Sequence, residues 1–200
     1  GVYACGAVSG GTLMNNQKVV RLGDAYIYSP LKYYPAEGAD FSAYAPFGTQ
    51  SLSVRESSGV PLEFDFSLPE SLSEDIMLAR LRRRVKSGGG EVKFRFFHPL
   101  TRIDVEFAFS PESVWIPAGK GVRITGVSLS HCVREGTYDV SGMSWTSVGG
   151  MVPSSRSLLV EADLDGTVDV CSLYAVPFTA PEGAVLRLDW ETYNTGSGAT

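Results

Sequence analysis

Hydrophobic and polar residues alternate one by one in several stretches of the chain, which is the period of a β-strand with one solvent-facing side. In Leu62–Leu68 (LEFDFSL) every second side chain is apolar. Val92–Phe96 (VKFRF) and Ile103–Phe109 (IDVEFAF) repeat this pattern, as do Leu158–Asp163 and Leu186–Glu191. One-sided alternation is typical of antiparallel sheets that cover a single core. The sequence therefore predicts an all-β protein.

Shorter apolar runs are further strand candidates. They are Lys18–Leu22, Ala25–Tyr28, Ala39–Ala45, Val122–Leu129 and Val168–Val176. Glycine and proline stand between nearly all of these runs, as expected where the chain turns. Many short strands at this spacing suggest β-sandwiches.

One stretch, Ser73–Lys86, competes as a helix. Ser73 is a suitable N-cap, and three glycines at 88–90 would end the helix. Its apolar stripe is thin and consists of Ile76, Met77, Leu81 and Val85. We expect a short helix or an irregular crossover here.

The segment Ser110–Gly121 is rich in turn signals and is the best candidate for a domain boundary. Two hundred residues suffice for one large domain or two small ones. We expect an N-terminal β-sandwich over residues 1–115 and a C-terminal one over residues 116–200. The predicted core of the first sandwich contains Val92, Phe94, Phe96, Ile103, Val105 and Phe107.

Composition and charge exclude some function classes. The net charge of −5 and the pI near 5.1 argue against a nucleic-acid partner, which needs a basic face. No apolar run approaches the roughly 20 residues that span a bilayer. The basic run Arg80–Arg84 is interpreted as a solvated surface. Gly1 does not look like a natural start, so we expect that a leader, and with it an anchor, preceded it.

The three cysteines, Cys5, Cys132 and Cys171, form an odd set without the close spacing of a metal or redox motif. A bridge between Cys132 and Cys171 stays open. Three free thiols are the simpler interpretation, because free cysteine is commonly buried.

Catalysis and metal binding find little support. His131 and Cys132 are neighbours, but neighbours on a strand point to opposite faces. Asp163, Asp165 and Asp169 permit a calcium site, although a hairpin turn at Asp165 explains the same residues better. We therefore expect no catalytic residue, no cofactor and no metal.

Aromatic residues crowd the stretch from Tyr26 to Phe47. Exposed aromatics can stack on sugars or anchor a protein interface, whereas core aromatics give the same pattern. Tyr33 and Tyr34 are the tentative binding residues, and both interpretations stay open for them. A core position is favoured for Phe41 and Tyr44.

Several stretches taken together resemble the fimbrillin family. Tyr33–Pro46 (YYPAEGADFSAYAP) is similar to its YYP…G…DFYAYYP segment, Asp75–Ala79 (DIMLA) to its DLMxA segment, and Val92–Ile103 (VKFRFFHPLTRI) to its V.L.F.HALSRI segment. Ile124–Val127 and Tyr174–Pro177 fall, in order, at two further strand motifs of the family. The resemblance extends from about residue 18 to residue 190.

Members of that family, from Bacteroidales-type bacteria, are cell-surface pilus subunits, tip proteins or anchors, exported as lipoproteins and built as two transthyretin-like β-sandwiches in tandem. The resemblance implies a fimbrial subunit or an accessory, anchor or tip protein at the outer membrane. Its partners would be other pilus subunits, joined by strand exchange, and a lipid anchor outside this chain would be its only contact with the membrane. The alternative is a monomeric surface module that binds a host glycan or protein.

Three features depart from the family pattern. Pro99 stands where the family usually has alanine, and Cys5 is a poor lipidation site because four residues precede it. The closing strand of the family is not found after Trp190. Either the sequence is truncated, or the second sandwich is incomplete and offers an open groove.

Overall fold

The structure, a computed structural model, describes residues 1–55, 59–84, 91–110, 116–162 and 166–195. The regular elements in these ranges are all β-strands, so the all-β prediction is confirmed, and no helix there is long and apolar enough to cross a membrane. In chain order the strands are β1 (Val2–Gly6), β2 (Thr12–Gln17), β3 (Val20–Leu22), β4 (Ala25–Ile27), β5 (Ala39–Ala45), β6 (Leu52–Val54), β7 (Glu63–Ser67), β8 (Met77–Arg84), β9 (Thr101–Ala108), β10 (Lys120–Val133), β11 (Glu135–Asp139), β12 (Ser144–Val148), β13 (Met151–Ala162), β14 (Thr167–Ala175) and β15 (Leu186–Asn194).

The chain forms two compact units that are interleaved along the sequence. The first unit comprises Gly1–Ser67, Asp75–Leu100 and Glu135–Val148, and the second comprises Leu68–Glu74, Thr101–Arg134 and Gly149–Thr200. The tandem arrangement of transthyretin-like domains, and the division into sandwiches over residues 1–115 and 116–200, stay predictions.

The first unit contains two four-stranded antiparallel sheets, with strand orders β2-β1-β5-β8 and β12-β11-β7-β6. One face of the first sheet carries Tyr3, Ser42 and Leu78, all buried. The Ser42 hydroxyl donates to the carbonyl of Pro61, 2.7 Å away, just before β7 begins. This bond satisfies a polar group that would otherwise be buried without a partner.

The opposite face of the same sheet is also covered. Val2 and Ala4 of β1 join a buried cluster with Ala39, Phe41, Ala43 and Ala79. The partly buried side chains that pack on this cluster are Leu13, Met14, Val19, Tyr34, Leu81, Val92 and Phe94. Because side chains on both faces are covered, all five residues of β1 are buried.

The short helix or irregular crossover predicted at Ser73–Lys86 is wrong over Met77–Arg84. Met77–Arg84 is strand β8, which pairs antiparallel with β5 and places Met77 opposite Ala45. Leu78 and Ala79 are both fully buried, because each covers a different face of the sheet. This packing outweighs the weak helical stripe, whose last member, Val85, lies outside the described residues.

The strand predicted at Val92–Phe96 is wrong, because this segment does not join a ladder. Only the neighbouring Phe97 forms a bridge, through a reciprocal pair of backbone bonds of 2.9 and 3.0 Å with Leu78. Val92 and Phe94 are half-buried on the apolar cluster. Phe96 is 39% exposed, so its prediction as a core residue is wrong: it lies against the ring of Phe94, at the margin of the cluster.

The second unit contains a three-stranded sheet, β13-β10-β15, and a two-stranded sheet, β14-β9. Ile124 of β10 is fully buried between its partners Val160 and Trp190. Val105 is buried on β9, beside the half-buried residues 103 and 107. These three predicted core residues therefore lie in the second unit and not in a sandwich with Phe94.

Candidate binding and assembly surfaces

The structure separates the two tyrosines that the sequence grouped together. Tyr33 is 97% exposed. Tyr34 packs on the apolar cluster, with its ring centroid 6.1 Å from that of Phe41. An exposed ring is available for stacking, whereas a ring in a cluster stabilises the fold. Tyr33 is therefore the more accessible of the two candidates, and the binding role of both tyrosines stays a prediction. Phe41 and Tyr44 are buried as predicted.

Tyr33 follows an exposed two-stranded ribbon formed by β3 and β4. Val20 pairs with Ile27, Arg21 with Tyr26, and Leu22 with Ala25. Cross-strand partners share a face, so one face of the ribbon is apolar and the other carries Arg21 and Tyr26. All six residues of the two strands are exposed.

The base of the ribbon is held by the body of the first unit. The side-chain amide of Gln17 donates to the carbonyl of Ser29 at 3.0 Å, which closes the two ends of the ribbon. Val19 reaches the apolar cluster, and the Lys18 ammonium lies 5.7 Å from the Phe47 ring centroid. These contacts anchor the base and leave the faces of β3 and β4 open.

Strand β1 of the first unit is buried along its whole length. It pairs with β2 on one side and β5 on the other, so its backbone groups are used on both edges. It leaves the sheet through a tight turn in which Gly10 donates to Gly6 (2.9 Å) and takes a φ of +65°, a conformation that favours glycine. Val8 in this turn is exposed, so the connection to β2 is accessible.

Strand β15 forms one edge of the three-stranded sheet in the second unit. In the described part of the chain it pairs with β10 alone. Leu186 and Trp190 are about half exposed, at 49% and 47%. The Asp189 carboxylate pairs with Arg187 at 2.8 Å, and the Glu191 carboxylate pairs with an arginine of the neighbouring strand β10. Each ion pair uses one carboxylate oxygen. The backbone groups along the outer edge of β15 are a template for a further strand.

His131 and Cys132, neighbours in the sequence, have different environments. The Cys132 thiol is buried and donates to the carbonyl of Val152 at 3.3 Å, and burial raises its pKa. His131 is exposed and bonds to the Ser130 hydroxyl at 2.9 Å. A thiol with a raised pKa and no base beside it is a poor nucleophile.

All three cysteines are free, so the bridge between Cys132 and Cys171 is absent. Cys132 lies on β10 opposite Val152, whereas Cys171 lies on β14 opposite Val105, in the other sheet. The simpler interpretation of three free thiols is confirmed.

Within the described ranges, no three potential metal ligands come together. Asp163 and Asp165, two of the three calcium candidates, lie outside the described residues. The third, Asp169, faces Glu106 across the two strands of its sheet.

Arg80 departs from its interpretation as a surface residue. Its Nε and one terminal nitrogen are shielded from solvent and have no hydrogen-bond partner. Burial lowers the pKa of this guanidinium, and the charge of Arg82 adds to the effect. Its side chain shares a face of the sheet with Ser42 because the two residues are cross-strand partners.

These features define an all-β protein whose described residues include an exposed ribbon and open sheet edges. A model of the fimbrillin-like family matches residues 1–194, and the chain belongs to that family. It is accordingly a fimbria-related protein of the cell surface and not an enzyme. No curated protein sequence matches the chain significantly.

Solved structures share the fold at low sequence identity. A fimbrial protein from Bacteroides vulgatus has a TM-score of 0.65 at 15% identity, covering 98% of this chain and 77% of its own. A proposed cell adhesion protein from Bacteroides uniformis has a TM-score of 0.56 at 17% identity, covering 97% and 76%. At such identities the similarity establishes the fold alone.

Proposed function

We propose that this protein is a structural component of a fimbria, as a subunit or as an accessory, anchor or tip protein, and that it joins other subunits by strand exchange. The observation that carries this proposal is the position of β1. This short strand lies between β2 and β5, and all five of its residues are buried. The fimbrial protein that shares the fold fits this role.

A buried strand between two partners is a replaceable unit. Removing β1 would leave two unpaired backbone edges and a groove lined by Phe41 and Ala43. A strand of another subunit restores both ladders if it places apolar side chains at the positions of Val2 and Ala4. The accessible turn between β1 and β2 allows this substitution without unravelling the rest of the sheet.

The test places a protease recognition site between Ser9 and Gly10 and cuts the folded protein there. Strand β1 is then held by non-covalent contacts alone. A fluorescent peptide with the sequence of residues 1–7 should replace it, which fluorescence anisotropy and mass spectrometry would detect. A peptide with Ala4→Asp is the matched control, because Ala4 is buried and a carboxylate there has no partner.

Two outcomes would count against strand exchange at this sheet. Entry of the control peptide to the same extent as the native one would indicate non-specific adsorption. Failure of the native peptide to enter after the cut strand has been removed in mild denaturant would show that the groove does not accept a strand.

A second candidate function is that of a monomeric surface adhesin which binds a host glycan or protein. The fully exposed ring of Tyr33 favours it, and a proposed cell adhesion protein shares the fold. A glycan array with the wild type, Tyr33→Ala and Tyr34→Phe tests it. Loss of a glycan signal in Tyr33→Ala alone supports this function, and equal signals for all three proteins contradict it.

The proposed location is the outer membrane of the cell that exports the protein, with attachment through a lipid anchor outside this chain. The family membership supports a surface location. Metabolic labelling of the full precursor with a fatty-acid analogue tests the anchor, and a precursor that stays unlabelled would contradict it.

A further inference from the structure

The ribbon of β3 and β4 has an apolar face that nothing covers in the described part of the chain. Val20, Leu22 and Ile27 share this face and are 42%, 66% and 43% exposed. Tyr26 on the other face, and Leu31 and Tyr33 directly after the ribbon, are more than 70% exposed.

A two-stranded ribbon with an open apolar face is incomplete as a structural unit. An isolated hairpin is marginally stable in water, and a third strand or a packed layer is needed for independent stability. Both outer edges of this ribbon present unpaired backbone groups among the described residues. A further strand along one edge would satisfy that edge and extend the apolar face.

The ribbon is also basic in an acidic protein. Residues 18–33 contain three basic side chains, Lys18, Arg21 and Lys32, and one acidic side chain, Asp24. The chain as a whole has a net charge of −5. The ranges of the second unit hold twelve acidic and six basic residues. Charge complementarity therefore points to a partner like the second unit.

We propose that the β3–β4 ribbon of one copy docks on the edge strand β15 of a second copy. This inference rests on the proposed assembly into fimbriae and names a contact within it. The added ribbon lies antiparallel to β15 and extends the three-stranded sheet of the second unit. Since the two surfaces are different, each copy can give one contact and accept another, so the copies form a chain.

Apolar and charged residues alternate in the same way on the two surfaces. On β15, Leu186, Leu188 and Trp190 alternate with Arg187, Asp189 and Glu191. On β3, Val20 and Leu22 flank Arg21 in the same alternation. When the apolar faces of the two elements are continuous, Arg21 comes to the face that carries the two carboxylates, and each carboxylate has an oxygen outside its present ion pair.

A lipid surface fits the ribbon less well than this strand does. Asp24 lies at the tip of the ribbon with its side chain fully exposed, and it forms only a loose pair with Arg21 at 3.8 Å. A carboxylate at the tip opposes insertion into an anionic bilayer. Two copies of the ribbon would also repel each other, because each carries a net positive charge.

The first measurement is the association of uncut protein by sedimentation velocity over a range of concentrations. The wild type should form concentration-dependent oligomers, and Leu22→Lys should weaken their association about tenfold or more, as expected for a central interface side chain. Val8→Lys is the matched control, because Val8 is 71% exposed in the same unit but lies outside the ribbon, and it should associate like the wild type. Monomeric wild-type protein at all concentrations overturns the inference.

A charge exchange between copies tests the orientation. Arg21→Glu and Asp189→Arg should each abolish association alone, because they place like charges at the contact. A one-to-one mixture should associate again, since the glutamate introduced in one variant meets the arginine introduced in the other. Circular dichroism confirms that both variants are folded. A mixture that stays monomeric contradicts the proposed pairing.

A third measurement identifies the occupant. A fluorescent peptide with the sequence of Leu186–Asn194 should bind wild-type protein and not Leu22→Lys, and a scrambled peptide should bind neither. Flotation with anionic phospholipid vesicles is the competing outcome: vesicle binding that Leu22→Lys abolishes, without peptide binding, assigns the ribbon to a membrane and overturns the inference.

The two proposals fail in different ways. If the ribbon variants associate like the wild type while the cut protein still exchanges β1, the ribbon contact is wrong and strand exchange stands. If β1 does not exchange while the ribbon contact follows these expectations, the copies associate without strand exchange.

Discussion

Tyr33 and Tyr34 follow each other in the chain but have opposite environments. Tyr34 contacts Phe41 and the apolar cluster, whereas Tyr33 is almost fully exposed. We expect Tyr34→Ala to lower the free energy of unfolding by about 2 kcal/mol, as for a partly buried aromatic ring. Tyr33→Ala should change it by less than about 0.5 kcal/mol. Urea unfolding of both variants checks this, and equal effects would contradict the assigned environments.

A polar network on the second sheet of the first unit is sensitive to pH. The Asp65 carboxylate accepts bonds from the Thr137 hydroxyl (2.5 Å) and from the Arg55 guanidinium (3.0 and 3.2 Å). Burial opposes ionisation, but these donors outweigh it and hold the pKa of Asp65 below its usual value. The network therefore stabilises the fold when Asp65 is charged.

Asp65→Asn should destabilise the protein at neutral pH by about 1 kcal/mol, a value reduced for solvent screening of a partly exposed pair. Because the pKa is lowered in the folded state, this difference should be complete above about pH 4 and should vanish as the pH falls through the lowered pKa. Urea unfolding across this range measures it. Glu63→Gln, which removes one weaker partner of Arg55, is the control with the smaller effect.

At the scale of elements, strand β8 and the segment Val92–Phe96 depart most from the sequence pattern. Alternation in Val92–Phe96 correctly placed Val92 and Phe94 on one apolar side, but the strand predicted there is wrong. It did not reveal that only Phe97 pairs with β8, because alternation reports which side chains are buried and says nothing of backbone partners. The side chains hold this segment in place.

Phe94→Ala should therefore cost about 2 kcal/mol of stability, although its backbone is outside any ladder. Its ring meets that of Phe41 edge-on at a centroid distance of 5.8 Å. Phe96→Asp should fold, with a loss below about 1 kcal/mol, since the side chain is more than a third exposed. Thermal unfolding of the two variants measures both losses of stability. An unfolded Phe96→Asp protein would place Phe96 in the core.

At the scale of the whole molecule, the interleaving of the two units affects how fragments fold. Strand β11 of Glu135–Val148 pairs with β7, so residues far along the chain complete a sheet of the first unit. The division into sandwiches over residues 1–115 and 116–200 stays a prediction and is open to direct measurement.

A fragment of residues 1–148 should be more stable than one of residues 1–115, because it retains the neighbour of β7. Chemical denaturation of the longer fragment can be followed by the fluorescence of Trp145, whose ring centroid lies 5.0 Å from that of Phe66. Circular dichroism compares the stability of the two fragments. Equal stability would indicate that residues 1–115 form a complete domain.

The sequence by itself determined the class of architecture and the family. Alternation with a period of two is a local property, so Leu62–Leu68, Ile103–Phe109 and Leu186–Glu191 were recognisable as strands without any knowledge of their partners. The ordered motifs from Tyr33 to Pro177 determined the family because residue types and their order can be read directly from the sequence.

Tertiary structure alone decided the environment of each candidate residue. Tyr33 and Tyr34 differ because distant residues, above all Phe41, cover one ring and not the other. Ser73–Lys86 has a helical stripe, but burial on both faces of a sheet makes Met77–Arg84 a strand. Exposure and pairing depend on contacts between residues far apart in sequence, and the identity of one residue and its neighbours does not contain that information.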